Sequence, residues 1–284
     1  MSTAFHSSGP LRELTIPGLK FPEGPRWRDG SWWVSDQLGG TVHRLHADGS
    51  FECVFEIDAP SGLGFLPDGA LLVACMNEPR LVRVDPAGSE EVVNLRGFTR
   101  HLNDMVVTRD GRAYVDAYDD HFDRQSHHVL MVTPERDVTV VADDVVYPNG
   151  IATTTDGTTL LLSETFGGRI TAFDVEPGGT LAGRRPWAEL PEGAHPDGLC
   201  LDARGDVWVA SYLAGEFLHV REGGQILDHV ALDGRWAMSC CLGGDDGRDL
   251  LLCSAETTQD DYFAGRSVGH LDLVRVDVPG VQCP

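Results

Sequence analysis

Six stretches of this chain are copies of one pattern, and that repeat limits the fold more than any other feature. "PEGPRWRDGSWWVSD" begins at Pro22, "PSGLGFLPDGALLVACM" at Pro60 and "LNDMVVTRDGRAYVDAY" at Leu102. "PNGIATTTDGTTLLLSET" begins at Pro148, "PDGLCLDARGDVWVASY" at Pro196 and "MSCCLGGDDGRDLLLCSAE" at Met238. Each copy is a short apolar strand, a turn ending in Gly, and a second apolar strand. The spacing holds at 7 residues from Gly62 to Gly69, Asp104 to Gly111, Gly150 to Gly157 and Gly198 to Gly205. A third strand of alternating apolar residues follows every copy. A fourth follows the first five: "FECVFEI", "EEVVNL", "VTVVADDV", "RPWAEL" and "ILDHVAL". The sixth copy lacks one, and "LRELTIPGL", from Leu11, can supply it from the other terminus. Units of four strands recurring about every 40 residues predict an all-β six-bladed β-propeller. Each blade has four antiparallel strands, and the N-terminal strand closes the ring. Residues 1–284 are expected to form one propeller domain. A β-sandwich of similar hairpins is the competing architecture, and six in-register copies disfavour it.

In a propeller the first strand of each blade lines the central channel, so equivalent positions lie at one height around the axis. The residue heading the repeated turn is Glu23, Ser61, Asn103, Asn149, Asp197 and Met238 in the six copies. Asn149 alone, before Gly150, is ordinary turn chemistry. Glu23, Asn103, Asn149 and Asp197 together place two carboxylates and two amides around a common centre. Such groups repel or stay unsatisfied unless something sits between them. A hard divalent cation meets that need. An all-oxygen donor set favours calcium, with magnesium or manganese as alternatives, over a structural zinc. Four protein ligands leave room for water and substrate.

Composition narrows the partners. The formal net charge is -22, and Lys20 is the sole lysine. Such a surface repels phosphate backbones and anionic lipid, so no nucleic-acid or membrane role is expected. "MSTAFHSSGPLRELTIPG" lacks the basic start and apolar centre of a signal peptide. No apolar run has the length of a membrane span. The seven cysteines show no C-x-x-C spacing, and Cys240 and Cys241 would face opposite sides of a strand. They are read as reduced thiols in a cytoplasmic protein, a monomer or small homo-oligomer.

At the channel residues the chain resembles the senescence-marker-protein/gluconolactonase family, the regucalcin-like lactonases. The matching segments are "PEGPRW", "LNDMVV", "YPNGIA", "HPDGL" and "SCCLGGDDGRDLLLCSA". They span essentially the whole chain and are specific as a set. The resemblance implies a six-bladed propeller with one catalytic divalent metal in its channel, and a lactone (cyclic ester) or other small ester as substrate. The family's metal ligands fall on Glu23, Asn149 and Asp197, with Ca²⁺ expected first and Mn²⁺, Mg²⁺ or Zn²⁺ as alternatives. Asn103 falls where members bind metal or substrate. Sugar-lactone members often carry Arg at the position of His101, and an acidic residue near His121 that contacts sugar hydroxyls. Both departures leave a gluconolactone-like substrate open. "AYDDHF", including Tyr118 and His121, is expected at the channel mouth.

On this reading the metal polarises the lactone carbonyl and Asp197 is the general base. Asn103 and His101 orient substrate, and Asp104 supports Asn103. Organophosphate-hydrolysing propellers use a similar set, so an esterase or phosphotriesterase on the same site is the first alternative. A non-catalytic calcium-binding propeller is the second, and a lyase or epimerase the third. Trp187, Phe122, Tyr262 and Phe263 are candidates either to wall a pocket for an aromatic ester or to pack on the blades.

Overall fold

The computed structural model describes residues 10–119 and 127–281. Among them are six four-stranded antiparallel sheets. Five run in chain order, within residues 22–56, 60–94, 101–145, 148–189 and 196–231. The sixth runs from Trp236–Gly243 through Asp249–Glu256 to Val268–Arg275, and Arg12–Leu14 completes it. That N-terminal strand pairs Arg12 with Leu273 and Leu14 with Leu271, as the repeat count requires. The inner strand of each blade contacts those of both neighbours, and blade 6 meets blade 1. The ring is closed.

Each sheet is sandwiched between two others, so its middle strands are buried on both faces. This is why Leu71–Cys75 and Val207–Ser211 are buried along their whole length rather than alternating. Outer strands such as Phe51–Glu56 are mostly exposed. The core lies between blades. Trp208, Ala210 and Phe217 of blade 5 pack against Leu250 and Leu252 of blade 6. Cys240 joins that cluster, while Cys241 joins the one between blades 6 and 1, so the two thiols do face opposite sides.

The fourth strand of blade 4 starts earlier than its apolar pattern predicts. It runs from Leu181 to Glu189, because ion pairs extend it. Arg184 reaches the buried Glu164 and Arg185 pairs with Asp174. The segment after Glu256 holds a five-residue helix, Gln259–Phe263, capped by the Thr258 hydroxyl, which accepts the Asp261 N–H.

Candidate metal centre and channel mouth

The inner strands are broken where the candidate ligands sit. In blades 2 to 5 pairing steps from Pro60–Cys75 to Leu63–Val73, Leu102–Ala117 to Met105–Val115, Pro148–Glu164 to Ile151–Leu162, and Pro196–Ser211 to Leu199–Val209. Two inner residues oppose one partner in each, which is a β-bulge. A bulge bends the strand and re-aims a side chain. The re-aimed residues are Ser61, Asn103, Asn149 and Asp197. In blade 1 Glu23 is the last paired residue before the same break.

Asn149-Gly150 is therefore not a turn. It lies inside the strand Pro148–Thr153. Gly150 is glycine because the next blade comes too close for a side chain. A Cβ there would lie 2.3 Å from the Asp197 carbonyl oxygen and 2.7 Å from Gly198 Cα. At Gly198 it would lie 2.1 Å from Ser239 Oγ. Close inner strands are what bring one residue per blade together at the axis.

Glu23, Asn103, Asn149 and Asp197 are all buried, with exposures of 7%, 7%, 6% and 5%. Burial raises the Glu23 pKa well above its ordinary value, and the nearby charges of Asp197 and Asp104 raise it further. Burial likewise raises Asp197, helped by Asp104, while the Gly198 N–H and the facing Asn149 amide pull it down. Asp116, fully buried beneath them, is raised by burial and then by Asp104. Asp197 Oδ1 is buried with no hydrogen-bond partner. Four acidic groups thus converge, and two of them, Asp197 and Asp116, each end in an orphaned Oδ1. Arg26 answers part of this charge: its guanidinium lies 3.3 Å from Asp104 Oδ1 and also donates to the Met105 carbonyl. An oxygen-only, strongly acidic and partly unsatisfied set fits a divalent cation.

The remaining sequence candidates divide. Asn103 is braced, but not by Asp104: the Ser61 hydroxyl donates to Asn103 Oδ1 at 2.7 Å. Asp104 instead accepts the Met105 N–H and the Arg26 guanidinium, and its own N–H donates to Asp116 at 2.8 Å. It sits where blades 1, 2, 4 and 5 have Gly and blade 6 has Ser239, and its carboxylate is held by the Met105 N–H and Arg26. His101 and Tyr118 stand at the mouth, stacked at 5.1 Å. His121 and Phe122 lie outside the described residues. Trp187 packs in the core between blades 4 and 5 and does not wall the mouth. Tyr262 does reach it, touching Phe21 at 4.9 Å, and Phe263 leans on Tyr262 from outside, 72% exposed.

Sequence reasoning missed Tyr147, Tyr212 and Trp236. Tyr147 sits in the left-handed region at φ 50°, which costs a bulky residue about 1–3 kcal/mol. Its ring is held there against Tyr118 at 4.9 Å and Phe166 at 5.0 Å. Tyr212 packs edge-on to Trp236 at 4.7 Å. Burial, then the Asp197 charge, raises the Tyr212 phenol, and burial, then Glu23, pushes Tyr262 up to about 12. The signal for them was positional: Tyr118 and Tyr212 end or follow second strands, and Tyr147 stands two residues before Asn149.

A second acidic group, Asp202, Asp206 and His219, lies in blade 5. Its oxygens are already in use. Asp202 Oδ1 accepts the Arg204 and Asp206 N–H groups, and its Oδ2 meets His219 Nε2 at 2.9 Å. Arg221 binds both oxygens of Asp206. We read it as a turn anchor, with the His219 ring stacked on Trp208 at 4.7 Å.

Fold and site together define a closed six-bladed propeller with an acidic, oxygen-lined centre on its axis. Residues 21–256 match the SMP-30/gluconolactonase/LRE-like region, and the chain belongs to that family. It is 28% identical over 271 residues to the 6-deoxy-6-sulfogluconolactonase of Pseudomonas putida, covering 92% of this chain and 93% of that one. It is 27% identical over 275 residues to pentonolactonase XacC of Haloferax volcanii, covering 92% of each. In three dimensions it resembles a calcium-binding protein, regucalcin, from Agrobacterium tumefaciens. The TM-score is 0.82 at 21% identity, over 99% of this chain and 97% of the other.

Proposed function

We propose that this protein hydrolyses a lactone at the channel axis, with one divalent cation held by Glu23, Asn149 and Asp197. Relatives named as lactonases along the whole chain support the reaction class. The observation that carries the site is the buried, unpartnered Asp197 Oδ1 among converging acidic groups. Hard oxygen donors favour calcium, then manganese, magnesium or zinc. When bound, the cation supplies polarisation of the ester carbonyl and a countercharge for the oxyanion.

The chain's own groups do the rest. Asp197 takes the proton of the attacking water and holds the water against the carbonyl carbon. Glu23 keeps its negative charge at the centre and contributes no proton step. Asn103, fixed by Ser61, orients substrate or completes the ligand set. Arg26 and Asp104 close the floor between this centre and the lower channel.

Replacing Asp197 with Asn should lower kcat by about 10²–10⁴-fold, with the circular dichroism spectrum unchanged. A folded variant that keeps a near-normal rate overturns the assignment of the base.

A further inference from the structure

The mouth of the channel is walled by two arcs of aromatic rings. One runs from His101 through Tyr118 and Tyr147 to Phe166, with centroids 5.1, 4.9 and 5.0 Å apart in turn. His127, buried at the start of its strand, backs it at 5.7 Å from Tyr147. The other runs from Tyr212 through Trp236 to Tyr262, at 4.7 and 6.4 Å. The arcs come from blades 3 and 4 and from blades 5 and 6. Electrostatic reach ties them to the centre: Tyr147, Tyr212 and Tyr262 all feel the Asp197 charge. Blade 2 adds Ala59 and Met76, which pack with Tyr118.

A polyhydroxylated ring needs fixed hydrogen-bond partners, and three of this rim's hydroxyls are engaged within the protein. The Tyr262 hydroxyl donates to Gln37 Oε1 at 2.7 Å. The Tyr118 and Tyr147 hydroxyls bond each other. His101 lies flat on Tyr118 at 26° between planes. Apart from the Tyr212 hydroxyl and the Trp236 N–H, these rings offer a substrate mainly face and edge, which suits offset or edge-on packing of another aromatic group.

We propose that the substrate is a lactone bearing or fused to an aromatic ring, seated between the two arcs with its ester carbonyl at Asp197. This rests on the lactonase reading above and names its substrate class. The strained Tyr147 backbone fits this use, since it holds one ring over the entrance.

The test compares kcat/KM of the calcium-loaded protein for 3,4-dihydrocoumarin and D-glucono-1,5-lactone. In parallel, tryptophan fluorescence reads binding of the matching lactams, which cannot turn over readily. The aryl lactone should be preferred at least about tenfold. Trp236→Ala and the surface-exposed Phe166→Ala should each reduce that preference several-fold. The second variant guards against misfolding of the first. Equal or better use of the sugar lactone overturns the inference and leaves the lactonase reading standing. Tighter binding of the aryl lactam without hydrolysis of either lactone keeps the ligand class and overturns the lactonase reading. No preference in either assay overturns the arcs as a binding site.

Discussion

One glycine and one carboxylate carry most of the account at the scale of single residues. Gly150 lets the inner strands of blades 4 and 5 approach until a Cβ would overlap the Asp197 carbonyl. Gly150→Ala should destabilise the fold by about 1–3 kcal/mol, because the obstacle is backbone and cannot rotate away. Urea unfolding reads this directly, and an unchanged midpoint contradicts it. Without its cation the centre should also be sensitive to pH. Glu23, Asp116 and Asp197 have folded pKa values raised by burial and then by neighbouring carboxylates, Asp104 among them in every case, so each holds its proton more tightly folded than unfolded. Their favourable contribution is fully present below the ordinary carboxylate range near about pH 4. It is lost as pH rises through the raised values. Chelated protein should therefore melt at a lower temperature at about pH 8 than at about pH 5, and added cation should restore more stability at the higher pH. Equal restoration at both would contradict the ionised ligand set. Sequence alone placed Asn149 at the axis because three other blades carried oxygen ligands at the same position. It could not show the bulge: the glycine after the ligand position is the mark of close approach between blades, but Asn-Gly reads equally as a turn.

Among elements, the closing strand is the most exposed to test. Arg12–Leu14 is three residues long, yet it completes blade 6, and Leu14 packs on the cluster between blades 6 and 1. Glu13 adds a contact to His270 at 3.5 Å. Removing residues through Leu14 exposes the edge of Val268–Arg275. The melting temperature should fall by several degrees, corresponding to a loss of about 1–3 kcal/mol, and the free edge should promote association. An unchanged melting temperature and a monodisperse protein would show that the ring does not depend on this closure. The strand was readable in the sequence as the missing fourth member of the last repeat. The early start of Leu181–Glu189 was not, because charged pairs rather than apolar alternation extend it. The aromatic arcs were half readable: Tyr262 was a candidate, Trp187 went to the core, and Tyr147 gains its place from an unusual backbone angle.

Across the whole molecule, six near-identical units supply the scaffold and the deviations among them supply the chemistry. The repeat sets the ring, and one position per blade sets the centre. The segments at the mouth have no counterpart between blades, so their contribution emerges only in three dimensions. Among the described residues no helix is long and apolar enough to cross a membrane. The central claim is that one divalent cation at Glu23, Asn149 and Asp197 is needed for lactone hydrolysis. It is tested most directly by stripping the protein with chelator and assaying sugar, simple and aryl lactones. Ca²⁺, Mn²⁺, Mg²⁺ and Zn²⁺ are then returned one at a time. The account predicts that turnover vanishes on stripping and returns with at least one cation. Full activity of the stripped protein would contradict it.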